Sequence, residues 1–321
     1  MAQYTGIQGP NILIVSSDPA NPIEGQIWYN STTNLLKGYQ FAEAWAAGGN
    51  LNTTRREVSG AGTQTAALAF GGYTNPNTPS SSSEAYNGIA WTATPSLNTA
   101  RAAFDGAGTQ TAALAFGGST FPGPLTGATE KWDGSSWTSV SSMNTANQAL
   151  SGTGIQTSAI AAGGYPPTAS ASESYNGTSW TSTSPLNTGR ADSAMSGASN
   201  TSALIFGAAT PVGVTESWNG SAWTTVASMN NELFGNMGAG TQTAAISSGG
   251  YDGPGAYSNK TELWNGTSWS NSTNMTSPRA TASKGGNTTN AITAGGFNGT
   301  SYLNSSEEWT SAAATKTITT S

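Results

Sequence analysis

Residues 63–72, Thr-Gln-Thr-Ala-Ala-Leu-Ala-Phe-Gly-Gly, recur at 109–118. Related segments end at Gly163-Gly164, Gly249-Gly250 and Gly295-Gly296, with a weaker copy ending at Gly207-Ala208. Behind each copy comes a Glu, an aromatic residue with Asn-Gly or Asp-Gly, and a Trp. These are Glu84, Tyr86 and Trp91; Glu130, Trp132 and Trp137; Glu173, Tyr175 and Trp180; Glu216, Trp218 and Trp223; Glu262, Trp264 and Trp269; and a shortened Glu307-Glu308-Trp309. Arg55, Arg101, Arg190 and Arg279 stand ahead of their copies, while Asn147 and Leu233 take that place in two units. A chain that repeats one unit of about 45 residues six times folds each unit alike and buries neighbour against neighbour.

Within the unit, Gly, Ser, Thr and Asn recur too often for helices, and no apolar pattern of period 3.6 is sustained. The uncharged Ala-rich run before Gly-Gly reads as a strand covered on both faces. Asn-Gly between an aromatic residue and Trp predicts a hairpin with a primed turn. Each unit is therefore expected to hold four strands: one after the Arg, one ending in Gly-Gly, one with Glu and the aromatic residue, and one with Trp.

Four strands at this period are the dimensions of a propeller blade. The order Arg, Gly-Gly, Glu, aromatic, Trp resembles the Kelch repeat over residues 45–309. The expected fold is all-β: a six-bladed Kelch-like β-propeller over residues 44–309, with seven blades as the alternative. In the six-blade reading three C-terminal strands, at about 280–286, 290–296 and 305–309, join the strand of Trp45, and this clasp removes an open sheet edge. The units with Asn147, Leu233 and Gly207-Ala208 are expected to be locally altered. Residues 1–43 form an N-terminal extension, and 310–321 a C-terminal tail.

Residues 25–39 read as a separate hairpin behind an extended, Pro-containing leader. The stretch resembles a short module of bacteriophage structural and tail-fibre proteins. This resemblance implies a non-enzymatic virion component, located in the virion and attached to other virion proteins through residues 1–43. The fibre analogy implies a homo-oligomer, a trimer.

Composition narrows the chemistry. Charged side chains make up 8% of the chain and the net charge is −6, against about 25% charged in ordinary domains. Scattered Lys and Arg leave no footprint for nucleic acid. No signal peptide and no membrane insertion are expected, because the apolar run at residues 12–15 is short. With no His and no Cys, imidazole and thiolate metal sites and His-based triads are excluded. The copper oxidase among Kelch relatives needs both residue types. Sialidase-type propellers need three convergent arginines, whereas these arginines mostly occupy equivalent repeat positions. No cofactor and no metal are expected.

A residue present in every unit does the same structural work in each, so the repeated Glu are expected to bind backbone amides or the Arg of a neighbouring unit, and the Trp to pack. Asn-X-Ser/Thr triplets such as Asn176-Gly177-Thr178 are read as turn composition. Glu57, Asp105, Asp192 and Glu232 break the repeat and are the candidates for a glycan-cleaving carboxylate pair, the remote alternative. Loops joining strands two and three vary between units, and antiparallel alternation puts them on one face. Their Tyr73, Phe121, Tyr165, Tyr251, Tyr257 and Tyr302 are the candidate ligand-binding residues, suited to a host-surface glycan or a protein, or else to covering their own loops.

Overall fold

In each copy, the Ala-rich run forms a strand whose last four residues are buried, as in Ala66–Phe70 and Ala112–Phe116. The computed structural model describes residues 12–23, 25–165, 167, 169–208, 213–252 and 256–318. Residues 1–11 of the predicted leader, 209–212 and 253–255 of two variable loops, and 319–321 of the tail lie outside the described residues. Every regular element among the described residues is a β-strand. The chain divides into two compact units: residues 44–309, and residues 1–43 with 310–321.

In the larger unit, five sheets are four-stranded and antiparallel, each in chain order. The first is Ser59–Thr63, Ala66–Phe70, Ser83–Tyr86 and Trp91–Thr94; the second is Asp105–Thr109, Ala112–Phe116, Thr129–Trp132 and Trp137–Val140. The third is Ser151–Ile155, Ser158–Ala162, Ser172–Tyr175 and Trp180–Ser182; the fourth is Ala194–Ser199, Ser202–Phe206, Thr215–Trp218 and Trp223–Val226. The fifth is Met237–Gly240, Ala245–Ser248, Thr261–Trp264 and Trp269–Asn271. In the sixth, Ser283–Gly286 and Asn290–Ala294 are followed by Ser306–Thr317, with Leu35–Ala47 beside it. This all-β architecture of four-stranded antiparallel sheets is that of a β-propeller in kind.

The hairpins form at the Asn-Gly positions, but not through two-residue primed turns. Trp132 pairs with Trp137, which leaves four loop residues, and of these only Gly134, at φ +94°, is left-handed. The Asp133 carboxylate accepts the amides of Ser135 and Ser136 at 2.8 Å each. A side chain that satisfies two amides stabilises a wider loop.

Sheets pack through a large residue of one against a glycine of the next. Phe116 lies over Gly152, where a Cβ would stand 2.2 Å from Phe116 Cζ. Phe70 meets Trp137 at 5.0 Å between ring centroids, Phe116 meets Trp180 at 5.0 Å, and Phe206 meets Trp269 at 4.8 Å. Ile292 and Ala294 of the sixth sheet pack with Ala67, Ala69, Tyr86 and Trp91 of the first. The first strands of the six sheets touch in sequence, and Ser283–Gly286 touches Ser59–Thr63. Between sheets, Gln110 Nε2 donates to Ala67 O at 3.0 Å, and Gln64 Nε2 to Trp309 O at 2.7 Å.

The repeated charges are consumed by the scaffold. Arg55 pairs with Glu84 at 2.8 Å and Arg279 with Glu307 at 3.0 Å; Arg101 pairs with Glu130, and Arg190 with Glu216, all with buried side chains. Each Arg stands just ahead of the first strand of the sheet that carries its Glu, rather than in a neighbouring unit. The Glu also accept backbone amides, as Glu130 does from Asn98 and Thr99 at 2.7 and 3.2 Å. Where Leu233 replaces the Arg, Asn231 Nδ2 donates to Glu262 at 2.9 Å. Where Asn147 replaces it, Asn147 Nδ2 binds Gly163 O at 2.8 Å. Ala208 lacks the positive φ of the second glycine in the other units, because a Cβ disfavours that conformation.

In the smaller unit, Ile27–Asn30 pairs antiparallel with the start of Leu35–Ala47 through a turn with Asn34 at φ 56°, and Leu13–Val15 runs parallel to Ile27–Asn30. Asp18 accepts Lys37 Nζ at 2.6 Å, Asn30 Nδ2 at 2.8 Å and Trp28 Nε1 at 3.0 Å. These donors hold its carboxyl down to about 2. Ile318 N donates to Leu36 O at 2.8 Å, so the tail joins this unit.

Candidate functional site

Just ahead of each first strand stands a residue in the left-handed region: Glu57, Ala103, Ala149, Asp192, Gly235 and Thr281, with φ between 51° and 61°. Five of the six are not glycine, and each such residue costs about 1–2 kcal/mol. Cross-sheet hydrogen bonds offset that cost: Ala149 N donates to Ala103 O at 2.8 Å, Asp192 N to Ala149 O at 3.0 Å, Gly235 N to Asp192 O at 2.6 Å and Thr281 N to Gly235 O at 2.8 Å. These residues line a cavity of about 90 Å³ to which all six repeats contribute.

Of the acids that break the repeat, Glu57, Asp105 and Asp192 all line this cavity. Glu232 does not; it is exposed on the surface. Glu57 pairs with Arg56 at 3.0 Å. Burial pushes the Glu57 carboxyl above its ordinary value, Arg56 opposes the shift, and Asp192 adds to it by repulsion. Burial also raises the Asp192 carboxyl, whose Oδ2 lies 3.4 Å from the Tyr165 hydroxyl. Asp105 accepts Lys284 Nζ at 2.6 Å and Gly152 N at 2.7 Å. Lys284 lines this cavity and also a second one of about 110 Å³.

The aromatic candidates separate into two groups. The residue after Gly-Gly makes a backbone bridge to the residue before the left-handed one, as in Arg56 with Tyr73 and Phe234 with Tyr251. This pins Tyr73 and Tyr251 beside the cavity mouth. Arg56 lies over Tyr73 and Tyr302 at 5.5 and 5.4 Å and donates from Nε to the Tyr302 hydroxyl at 3.1 Å. Tyr251 stacks on Phe234 at 4.7 Å and meets Tyr257 at 4.5 Å, and Phe297 links Tyr257 to Tyr302. Tyr73, Tyr251, Tyr257 and Tyr302 thus spend ring faces on their neighbours. Tyr165 and Phe121 are 45% and 59% exposed.

Sequence reasoning passed over Lys284 and Arg56. The signal was present: Lys284 stands where other units have Gly60, Gly106, Gly152, Met195 and Gly238, and Arg56 where they have Ala102, Gln148, Ala191, Phe234 and Ala280. Among the described residues, no group of three or more Asp, Glu, His or Cys could hold a metal ion. The cavity lining presents three carboxylates and one ammonium, with the Tyr165 hydroxyl against Asp192.

No family model matches the chain, and no curated protein matches it. Among solved structures it is similar to one described as "Structure of YjhT", with a TM-score of 0.66 and 13% identity, covering 80% of this chain and 95% of that one. At that identity the likeness concerns the fold.

Proposed function

We propose that this chain is a non-enzymatic bacteriophage virion component, of the tail fibre, tail or head, that displays a six-bladed Kelch-like propeller and engages the host surface through its central mouth. Six blades are supported by the circular sequence of first-strand contacts and by packing of the sixth sheet on the first. A three-plus-one clasp is supported by Trp45, whose Nε1 donates to Thr261 Oγ1 of the fifth sheet at 3.0 Å. Trp137, Trp180 and Trp269 make the same bond to the preceding sheet.

The observation that carries the binding role is a division of labour. The repeated Arg and Glu are buried in ion pairs or in bonds to amides, whereas Glu57, Asp105, Asp192, Arg56 and Lys284, which break the repeat, gather at one cavity or its rim. The virion assignment rests on the resemblance of residues 25–39 to the tail-fibre module; residues 1–43 then attach the propeller to other virion proteins, as a trimer by the fibre analogy. The host-surface ligand is a glycan. Particles carrying Asp192→Asn or Tyr165→Ala protein should assemble normally and adsorb poorly, whereas protein lacking residues 1–43 should fold but stay off the particle. Normal incorporation of the truncated protein overturns the attachment role, and unchanged adsorption overturns the mouth as the binding site.

Glycan cleavage is a second reading, favoured by the meeting of Glu57 and Asp192 in one cavity, since hydrolysis uses two carboxylates of different proton affinity. Turnover of host polysaccharide that disappears in Glu57→Gln would put it in place of simple binding.

A further inference from the structure

The third repeat lacks the Arg with which four others neutralise their buried Glu. Arg55, Arg101, Arg190 and Arg279 set a guanidinium against Glu84, Glu130, Glu216 and Glu307 in turn. Nη1 of the Arg also donates to the carbonyl just ahead of the third strand, as Arg55 does to Ser82 O at 2.8 Å, Arg190 to Val214 O at 2.8 Å and Arg279 to Ser305 O at 2.7 Å. In the third repeat the equivalent acceptors are Glu173 and Ala171 O. Asn147, in place of the Arg, spends Nδ2 on Gly163 O. Glu173, 2% exposed, accepts Asn144 N and Nδ2 and Thr145 N at 2.8, 3.0 and 2.9 Å, and it faces no cation among the described residues. A carboxylate withdrawn from water in this way is stabilised by a counter-charge beside it.

A second observation is a cavity of about 10 Å³ lined by Glu173, Ala171, Asn147 and Gly163, together with the apolar Leu150 and Met143. Loss of the Arg does not by itself open such a space. The fifth repeat also lacks the Arg, but there Leu233 is fully buried and Asn231 Nδ2 brings Glu262 a further donor. The volume in the third repeat holds one occupant of about the size of a water molecule. A free guanidinium is too large for it, and a divalent cation would need about six oxygens around it.

We propose that this cavity of the third repeat binds a water-sized monovalent cation, ammonium or potassium, in place of the missing guanidinium. The ion lies against the Glu173 carboxylate and Ala171 O, and the second lone pair of Gly163 O is a further ligand. Ammonium donates to these acceptors as Nη1 and Nη2 do in the other repeats, while potassium takes the same oxygens as ligands. The site belongs to one repeat and is independent of what the propeller binds at its central mouth.

Melting of the full chain at neutral pH and equal ionic strength, in ammonium, potassium or choline chloride, tests this. Ammonium or potassium should raise the melting temperature by about 2–4 °C over choline, which is too large for the cavity. A rise with one of them alone identifies which ion the site takes. Asn147→Arg, which rebuilds the pair of the other repeats, and Glu173→Gln, which removes the charge, should each cancel the rise. Equal melting in the three salts means that the cavity takes water only and overturns the cation. A rise that persists in Glu173→Gln is a general salt effect and overturns it too. Thallium(I) has about the size of potassium and scatters X-rays anomalously, so crystals of the unaltered chain soaked in thallium(I) acetate should show a peak between Glu173 and Ala171. Absence of that peak overturns the site whatever the variants do.

Discussion

Lys284 Nζ lies 2.6 Å from Asp105 Oδ2 and 2.8 Å from Gly152 O, joining the sixth repeat to the second and third across 179 and 132 residues of chain. The two side chains are 16% and 13% exposed. Their bond forms a partition, because Lys284 faces cavities on both of its sides. Glycine at the equivalent position of four other repeats leaves the space that a long side chain needs to cross.

Removing one partner of that pair leaves the other partly buried and unpaired. Lys284→Met should destabilise the chain by about 1–3 kcal/mol, below the range for fully buried pairs because solvent reaches this one. Denaturant titration of Lys284→Met, Asp105→Asn and the double variant should give a coupling of about 1 kcal/mol or more. Additive effects would mean the contact is worth nothing.

Asp192 and Glu57 should trade stability for the mouth. Their folded pKa values are raised, so the native state holds more protons than the unfolded chain from about pH 4 up to the raised values. Stability contributed by these groups therefore falls as pH rises through that window. Asp192→Asn, which suits the left-handed backbone, should melt above the parent at pH 7.5, and the gap should close by about pH 4. Melting curves across that range check the sign; a parent more stable at pH 7.5 refutes it.

The buried Arg–Glu pairs make a sharper case. Arg101→Leu strands Glu130, which is 1% exposed, and should cost about 3–5 kcal/mol. The fifth repeat contains its own remedy, Leu233 with Asn231 donating to Glu262. Thr99 is the residue equivalent to Asn231, so Thr99→Asn in the Arg101→Leu background should recover about 1 kcal/mol. No recovery by chemical denaturation would show that Asn231 owes its effect to other parts of the fifth repeat.

Gly152→Ala should cost about 1–3 kcal/mol by overpacking, since the new methyl would meet Phe116 Cζ at 2.2 Å. The loss should shrink when Phe116→Leu clears the space. Equal losses in both backgrounds would locate the strain in the backbone.

Much of this protein follows from the repeat alone. Copies of Ala-Leu-Ala-Phe-Gly-Gly and of Glu, aromatic and Trp specify strands and hairpins because their spacing decides which side chains are buried, wherever the unit stands in the chain. The same regularity marked the repeated Glu and Arg as scaffold, and their buried pairs show them so. The turn geometry was not legible, because Asp133 accepts two amides and widens a loop that the dipeptide alone would close in two residues. Nor was the partner of each Arg, since that depends on which strands become neighbours. The site needed the tertiary structure most. Glu57, Asp105, Asp192 and Lys284 are scattered over 228 positions, and only packing of six sheets against one another gathers them at one cavity. Burial then decides which of them keeps a counter-charge, and that is a property of the assembled fold rather than of any local stretch of chain.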